Sequence, residues 1–194
     1  SCQAQDNCPA HLARLDLLYA QGCFSRRLNA HPPELVPEPL LHIASGRHPL
    51  LVLRMGEKEV IPLDILLGEN SHTIIISGPN AGGKTVALKT VGLLTLMARS
   101  GLHIPALPHS RIGAIKRVYA SIGDQQSIDN DLSTFSSHLA GLKAIAESAG
   151  AGSLVLIDEI GAGTDPEEGS ALAMAILEKL TDRRALSLVT THQS

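Results

Sequence analysis

The chain has 194 residues, of which 44% are hydrophobic, and a formal net charge of −3 at pH 7. This length and composition favour one globular domain with an aliphatic core, because Trp is absent and Phe occurs only twice. We expect no membrane span, no signal peptide and no nucleic-acid-binding surface on this chain, since it carries neither long apolar runs nor Lys/Arg clusters.

The cysteines lie near the start of the chain, at Cys2, Cys8 and Cys23. They are odd in number and match no zinc-binding spacing. This usage is typical of reduced thiols, so we expect a cytoplasmic protein.

The first third of the chain predicts a helix and then extended segments. Apolar residues at helical spacing predict a helix over residues 9–29, which is either the tail of a longer helical region or an ordinary packing helix. Prolines within residues 36–49 predict an extended linker. Residues 50–55 and 59–63 are expected to pair as a β-hairpin.

The rest of the chain alternates predicted strands with predicted helices. Strands are expected at residues 73–77, 118–122, 154–157 and 185–190. A deeply buried helix is expected at 85–98, an amphipathic helix at 132–149 with Ser133 as its N-cap, and a further helix capped by Asp165. This alternation predicts an α/β layer fold.

A glycine-rich motif lies between the strand at 73–77 and the helix at 85–98. Its spacing fits G-x-x-x-x-G-K-[ST], with the residues Gly78, Pro79, Asn80, Ala81, Gly82, Gly83, Lys84 and Thr85. Backbone N–H groups of such a turn point at an anion, the lysine reaches the β- and γ-phosphates, and the hydroxyl of Thr85 ligates Mg²⁺. The alternative is a glycine turn with an incidental Lys-Thr, but the flanking strand and helix favour nucleotide binding.

Two carboxylates, Asp158 and Glu159, end the strand at 154–157. Ligands of a parallel α/β sheet lie beyond the carboxyl ends of its strands, so Asp158 is expected to hold Mg²⁺ through a water and Glu159 to polarise the attacking water. The alternative is a strand that simply ends in two acids. Residues 158–161 also fit the D-x-x-G element of GTPases, but no lysine stands in the Asn/Thr-Lys-x-Asp context that reads guanine.

Two further residues are candidates for contacts with the nucleotide. His192 follows the last strand and is expected at the same sheet edge, where it would donate to the γ-phosphate; a lone histidine there often has no such role. Ser133 is either only a helix cap or part of a second anion-binding helix end that faces the nucleotide of another subunit.

Together these motifs resemble the MutS family of ABC-type ATPases. The matching elements occur in the family's order: residues 46–49, 78–85 as Walker A, 133–135 as the signature element, 154–159 as Walker B, 161–165 as the D-loop and 191–192 as the switch histidine. Residues 83–90, STFSSH at 133–138 and GAGTDP at 161–166 resemble the second bacterial branch, MutS-two.

The resemblance implies ATP and Mg²⁺ as cofactors and a homodimer with composite sites. It implies that Glu159 is the general base, that His192 senses the γ-phosphate and that Ser133 acts in trans. Asn80 is implied to contact phosphate or the attacking water. Val60 and Ile61 are implied to pack on adenine, although plain strand core explains them equally well.

The resemblance also divides the chain. Residues 1–35 are expected to be the end of a core and lever helical region, and residues 36–194 an ABC-type ATPase domain. The family's nuclease domain and DNA-gripping clamp are expected to lie outside this chain, so DNA or ribosome binding would use regions absent from it. We expect an ATPase; the alternatives are a nucleotide-gated dimerisation module with negligible turnover and, more weakly, a GTPase.

Overall fold

The computed structural model describes residues 8–79, 83–123, 131–162 and 164–191, without the side chains of Cys8 and of residues 131–137. The helices are α1 (Cys8–Arg27), α2 (Pro49–Met55), α3 (Lys84–Arg99), α4 (Asp131–Ser148) and α5 (Pro166–Asp182). The strands are β1 (Glu34–Leu35), β2 (Leu41–Gly46), β3 (Leu63–Leu67), β4 (Thr73–Ser77), β5 (Arg111–Ile112), β6 (Arg117–Ser121), β7 (Ser153–Ile157) and β8 (Leu186–Thr191).

The strands form two sheets of different character. The first has the order β1-β5-β2-β3, and β2 pairs antiparallel with both of its neighbours. The second has the order β4-β8-β7-β6 and is parallel throughout. Parallel neighbours need long crossovers, which α4 and α5 provide between β6, β7 and β8.

The carboxyl ends of the parallel strands lie at one edge of the second sheet. The register pairs Ser77 with Thr191 and Ser121 with Ile157, so the strands end level with one another. Residues that follow these ends are therefore brought together although they are far apart in sequence. This edge is where a ligand of such a sheet binds.

Apolar residues cover both faces of the parallel sheet. On one face Leu154 and Leu156 of β7 belong to a cluster with Leu88 and Leu94 of α3, which also includes residues of the first sheet. On the other face Val155 and Ile157 pack with residues of α4 and α5. Every residue of β7 is buried, as expected of a strand covered on both sides. The predicted α/β class is therefore confirmed as a parallel sheet with helices on its faces.

The predicted hairpin at residues 50–63 is wrong. Residues 49–55 form α2, a 3₁₀ turn covers Glu57–Glu59, and β3 begins only at Leu63. Pro49 stands at the start of α2, where its missing N–H costs nothing, and Pro49 and Val52 bury one face of that helix. A short apolar run does not distinguish a strand from a helix, and here the helix start at Pro49 decides it.

The predicted linker over residues 36–49 is also wrong in part. Its middle contains β2, which pairs with β3 from Leu41↔Leu67 to Gly46↔Leu63 with an irregularity in between. The three prolines that suggested a linker lie before or after this strand. A strand this short is specified by its partner rather than by its own sequence.

Two smaller expectations need correction. Helix α4 begins at Asp131, so Ser133 lies within its first turn and is not its N-cap. Helix α3 is not buried on every side, because Val86 is 42% and Leu96 44% exposed. The sheets cover only part of its circumference.

Helix α1 is confirmed, and its first half contributes little to the core. Leu12 and Leu15 are 61% and 63% exposed, whereas Phe24 and Leu28 near its end pack on the main cluster. No helix within the described ranges is long and apolar enough to cross a membrane.

Candidate functional site

The turn between β4 and α3 carries the predicted phosphate-binding motif. β4 ends at Ser77, Gly78 follows with φ +136°, and Pro79 is exposed. Gly83 is left-handed, with φ 78° and ψ 12°, and α3 begins at Lys84. Glycine enters these backbone regions at little cost, so both positions favour the curved path of the turn. Three members of the motif lie outside the described residues: Asn80, Ala81 and Gly82.

The side chain of Lys84 reaches across this turn to its opposite end. The side chain is only 5% exposed, and Nζ donates a hydrogen bond to the carbonyl oxygen of Gly78. Unpaired N–H groups in the first turn of the 16-residue helix α3 add partial positive charge. A largely desolvated ammonium group beside a helix N-terminus favours an anionic ligand such as phosphate.

Asp158 is fixed at the end of β7 by contacts from two other elements. Its backbone N–H donates to the carbonyl oxygen of Ser121 at the end of β6, 2.9 Å away. Its Oδ2 accepts a hydrogen bond from Thr85 Oγ1 at 2.7 Å. The structure thus brings the predicted metal-binding hydroxyl and carboxylate into direct contact, although 73 positions separate them in sequence.

Glu159 turns the chain away from the sheet. Its φ is +56°, a left-handed conformation that residues other than glycine adopt uncommonly. Its backbone N–H donates to Thr190 Oγ1 at 2.8 Å, and Thr190 Oγ1 donates to Asp158 Oδ1 at 2.6 Å. The side chain of Glu159 is partly exposed beside the buried carboxylate of Asp158.

Three of the four predicted catalytic-edge residues therefore lie beyond the carboxyl ends of two strands of this sheet: Lys84 follows β4, and Asp158 and Glu159 follow β7, with β8 between the two strands. Predicted His192 lies outside the described residues; Thr191, just before it, pairs with Ser77 beside the glycine turn. The backbone of Ser133 lies in the first turn of α4, and its side chain is outside the described set.

An apolar cleft of about 350 Å³ adjoins the start of α3. Val60 and Ile61 line it together with Pro62, and Gly83 and Val86 form its other side. Val60 is 6% exposed and Ile61 88% exposed, and both follow the 3₁₀ turn rather than lying in the strand that was expected. Ile61 is thus an apolar surface open to a ligand, and Val60 supports it from within the core.

His48 also lines this cleft, just before α2. Burial lowers the pKa of His48, and the positive charge of Lys89 lowers that pKa further. The imidazole is therefore neutral near pH 7, and its buried Nδ1 has no hydrogen-bond partner within the described part of the chain. Apart from Glu59 the lining is mainly apolar, and such a wall suits a planar neutral group better than a charged one.

The donor set of this edge fits a magnesium nucleotide. Mg²⁺ prefers oxygen ligands and is usually held by one or two protein oxygens, with water and substrate phosphates completing its shell. Thr85 and Asp158 supply such oxygens, and Lys84 supplies the cation for a phosphate. No cluster of three or more His, Cys, Asp or Glu side chains able to hold a metal by itself occurs among the described residues.

The family model described as MutS domain V matches residues 74–194, more than half of the chain. The chain belongs to the MutS family. The matched residues contain all of β4 except Thr73, together with α3 and every later described element, so the family match covers nearly all of the parallel sheet and its candidate site.

Individual MutS-family relatives share about half of the aligned residues. Endonuclease MutS2 of Pelotomaculum thermopropionicum is 54% identical over 181 residues, which are 93% of this chain and 22% of the relative. The Endonuclease MutS2 proteins of Lachnoclostridium phytofermentans and Symbiobacterium thermophilum are each 50% identical over 183 residues, or 94% of this chain and 22% of theirs. The resemblance to the MutS-two branch is confirmed, and the chain spans about a fifth of the length of these relatives.

Sequence reasoning missed one residue of this MutS-family site, Thr190. The sequence pattern predicts only that Thr190 lies in the last strand, because a threonine in a strand is ordinary. Its position two residues before the predicted switch histidine was a usable signal, since that places its side chain near the carboxyl edge. The contact with Asp158 and Glu159 appears only once β8 is seen to lie beside β7.

A close backbone contact fixes the segment that follows Glu159. A Cβ built on Gly169 of α5 would meet the carbonyl oxygen of Gly161 at 2.3 Å, and one built on Gly161 would meet that of Gly169 at 2.5 Å. Asp165 caps the same helix, its side chain accepting from the N–H of Glu167 at 3.0 Å. The predicted cap is confirmed, and the two glycines let this loop lie directly on α5.

We expect Gly169→Ala to destabilise the protein by about 1–3 kcal/mol, because the new methyl group has no room against backbone. Gly141→Ala in α4 is the matched control, since a Cβ there meets nothing within 4 Å. The control should raise stability by about 0.5–1 kcal/mol through helix propensity alone. Urea unfolding of both variants measures the difference; equal stabilisation by both would contradict the contact.

Proposed function

We propose that this MutS-family chain binds ATP with Mg²⁺ and hydrolyses the nucleotide, as an ABC-type P-loop domain whose cycle is coupled to homodimerisation. One contact carries the proposal: the hydrogen bond from Thr85 Oγ1 to Asp158 Oδ2. It joins the first turn of the helix after a glycine turn to the acidic end of a strand in the same sheet. That is the arrangement with which P-loop proteins hold a divalent cation beside phosphates.

The phosphates would bind at the turn between β4 and α3. Lys84 Nζ, now on the carbonyl oxygen of Gly78, would exchange that acceptor for a phosphate oxygen, because an anion is the stronger partner. The N–H groups of the loop and of the first turn of α3 would hold the remaining phosphate charge. The proposed loop residues are Gly78, Pro79, Asn80, Ala81, Gly82, Gly83, Lys84 and Thr85.

Thr85 and Asp158 would hold Mg²⁺, which neutralises phosphate charge when it is bound. The two groups already lie 2.7 Å apart, so little rearrangement is needed to bring both oxygens to one ion. Glu159, the next residue after Asp158, would take the proton of the attacking water on its carboxylate. Its partial exposure leaves room for a water beside it.

The cleft beside α3 would receive the adenine ring. Ile61 offers an exposed apolar surface, Val60 backs it, and the neutral ring of His48 lines the same space. The cleft also touches Gly83, so a base in it would be continuous with phosphates at the turn. These contacts are largely non-directional, so we expect them to favour adenine over guanine only weakly.

Dimerisation would complete each site. Ser133, in the first turn of α4, would contact the nucleotide of the second subunit, and His192 would sense the γ-phosphate from the end of β8. These two roles follow from the family relationship, and the position of Thr191 beside Ser77 is compatible with the second of them.

The direct test measures phosphate release and sedimentation on the same sample. We expect release with Mg²⁺ and ATP, none with excess EDTA, and a monomer-to-dimer change in sedimentation when ATP is added. ATP-dependent dimerisation without release would instead support the alternative function, a nucleotide-gated dimerisation module. Faster phosphate release from GTP than from ATP at equal concentration would favour the weaker alternative, a GTPase, and absence of any nucleotide binding would refute all three.

For the whole protein we propose a wider role. The matched relatives are named Endonuclease MutS2 and are several times longer than this chain. We propose that the ATPase domain comprises residues 36–194, that residues 1–35 end a core and lever region, and that the protein is cytoplasmic. In the whole protein the ATP cycle would drive action on branched DNA, suppressing recombination, or on stalled ribosomes, through regions outside this chain.

A further inference from the structure

Thr190 occupies a central place in the parallel sheet. It lies on β8, which runs between β4 and β7, and it pairs with Ile76 of β4. It is fully buried, with 0% of its surface exposed. The strand that feeds the glycine turn and the strand that ends in Asp158 are therefore its two neighbours.

One hydroxyl group of Thr190 contacts two consecutive residues of the candidate site. Oγ1 accepts from the backbone N–H of Glu159 at 2.8 Å and donates to Asp158 Oδ1 at 2.6 Å. A hydroxyl has a single hydrogen, so acceptance from Glu159 leaves that hydrogen for the carboxylate. The carbonyl oxygen of Thr190 also accepts from the N–H of Ile160 at 3.0 Å. The turn from Asp158 to Ile160 is thus held by one residue of the neighbouring strand.

These bonds fix two features that the proposed chemistry needs. The carboxylate of Asp158 is held at both oxygens, by Thr85 on Oδ2 and by Thr190 on Oδ1, so its rotation is restricted. The left-handed backbone of Glu159, with φ +56°, is stabilised by the N–H bond to the same hydroxyl. A group that donates a hydrogen bond to a metal-binding side chain orients that side chain, and so affects metal affinity although it does not contact the metal itself.

We propose that Thr190 is a positioning residue that links the metal-binding carboxylate of Asp158 to the backbone orientation of Glu159. This inference rests on the proposed function, which gives those two residues their roles. The chemistry required is a hydroxyl that donates and accepts at once. Valine has nearly the same shape but can neither accept from the N–H of Glu159 nor donate to Oδ1 of Asp158.

Three variants of the full 194-residue chain test it. Thr190→Val removes the hydroxyl, Thr190→Ser retains it, and Thr95→Val is the matched control. Thr95 is also 0% exposed, but its hydroxyl only donates to the carbonyl oxygen of Val91 within α3. Thermal unfolding checks that each variant is folded.

Two readouts separate positioning from general packing. The first is hydrogen exchange of the Glu159 amide without nucleotide, which we expect Thr190→Val to accelerate by about tenfold or more through loss of its acceptor. The second is the Mg²⁺ concentration at half-maximal binding of a non-hydrolysable ATP analogue, which Thr190→Val should raise by about 10- to 100-fold. Thr190→Ser and Thr95→Val should stay within about threefold of the unchanged chain in both readouts.

Each result decides between the two proposals. Normal amide exchange and a normal Mg²⁺ midpoint in Thr190→Val would overturn the positioning role while leaving the proposed function in place. Equal effects of Thr190→Val and Thr95→Val, or failure of Thr190→Ser to restore the midpoint, would overturn it as well. If the unchanged chain binds no analogue with Mg²⁺, the proposed function falls together with the metal part of this inference, and the exchange readout still decides whether Thr190 holds Glu159.

Discussion

Glu159→Gln is expected to lower ATP turnover by about 10²- to 10⁴-fold while ATP binding remains, because an amide of the same shape cannot accept the proton of the attacking water. The bond that orients this residue uses its backbone N–H on Thr190, so the substitution leaves that bond intact. Asp158, Thr85 and Lys84 are unchanged in this variant, so the proposed binding of phosphate and metal should remain. Single-turnover phosphate release and equilibrium binding of ATP measure the two effects separately.

The same variant should accumulate as a dimer when ATP is present. If ATP hydrolysis dissociates the dimer, subunits that bind ATP but do not hydrolyse it remain associated. Sedimentation then detects the larger species. Glu178→Gln is the matched control, since Glu178 is exposed on α5. Turnover of Glu159→Gln equal to that of Glu178→Gln would show that the base has been assigned to the wrong residue.

Lys84→Met is expected to weaken ATP binding by about 10- to 100-fold, the effect of removing one hydrogen bond to a charged group from a buried site. The lysine is 5% exposed and lies across the glycine turn, so no neighbouring cation in the described part of this turn replaces it. Fluorescence titration with a labelled ATP analogue measures the affinity.

The stability of Lys84→Met without nucleotide separates loss of binding from loss of fold. A buried ammonium is costly to desolvate, so its replacement by an apolar chain of similar length should leave the melting temperature unchanged or higher. Lys179→Met, at an exposed position of α5, supplies the comparison for removal of one charge. Full ATP affinity in Lys84→Met would contradict phosphate binding at this turn. A lower melting temperature of Lys84→Met would contradict the expectation that the buried ammonium group does not stabilise the fold.

Elements with strong local signals agree with the sequence predictions. Asp165 followed by Pro166 predicts the start of α5, and the structure has the same cap, with the side chain of Asp165 on the N–H of Glu167. The apolar run of β7 predicts a strand covered on both faces, and all of its residues are buried. In these cases the deciding interaction lies within a few residues, so the local sequence contains it.

The errors lie where the partner is distant in sequence. Residues 50–55 are apolar enough for either a strand or a helix, and their packing as α2 is settled by Pro49 and by the core beneath. The strand β2 looked like linker because prolines flank it, and it exists because β3 pairs with it. Short elements have little intrinsic preference, so tertiary contacts select their conformation.

By itself the sequence determined that this is an α/β protein of the MutS family with a glycine-rich turn before a helix and an acidic strand end, because these signals are contiguous along the chain. Only the tertiary structure decided that Thr85 meets Asp158 and that Thr190 joins Asp158 to Glu159. The physical reason is the strand order: β8 follows β4 and β7 in sequence but lies between them in the sheet, so the hydroxyl of Thr190 reaches groups that no sequence spacing connects.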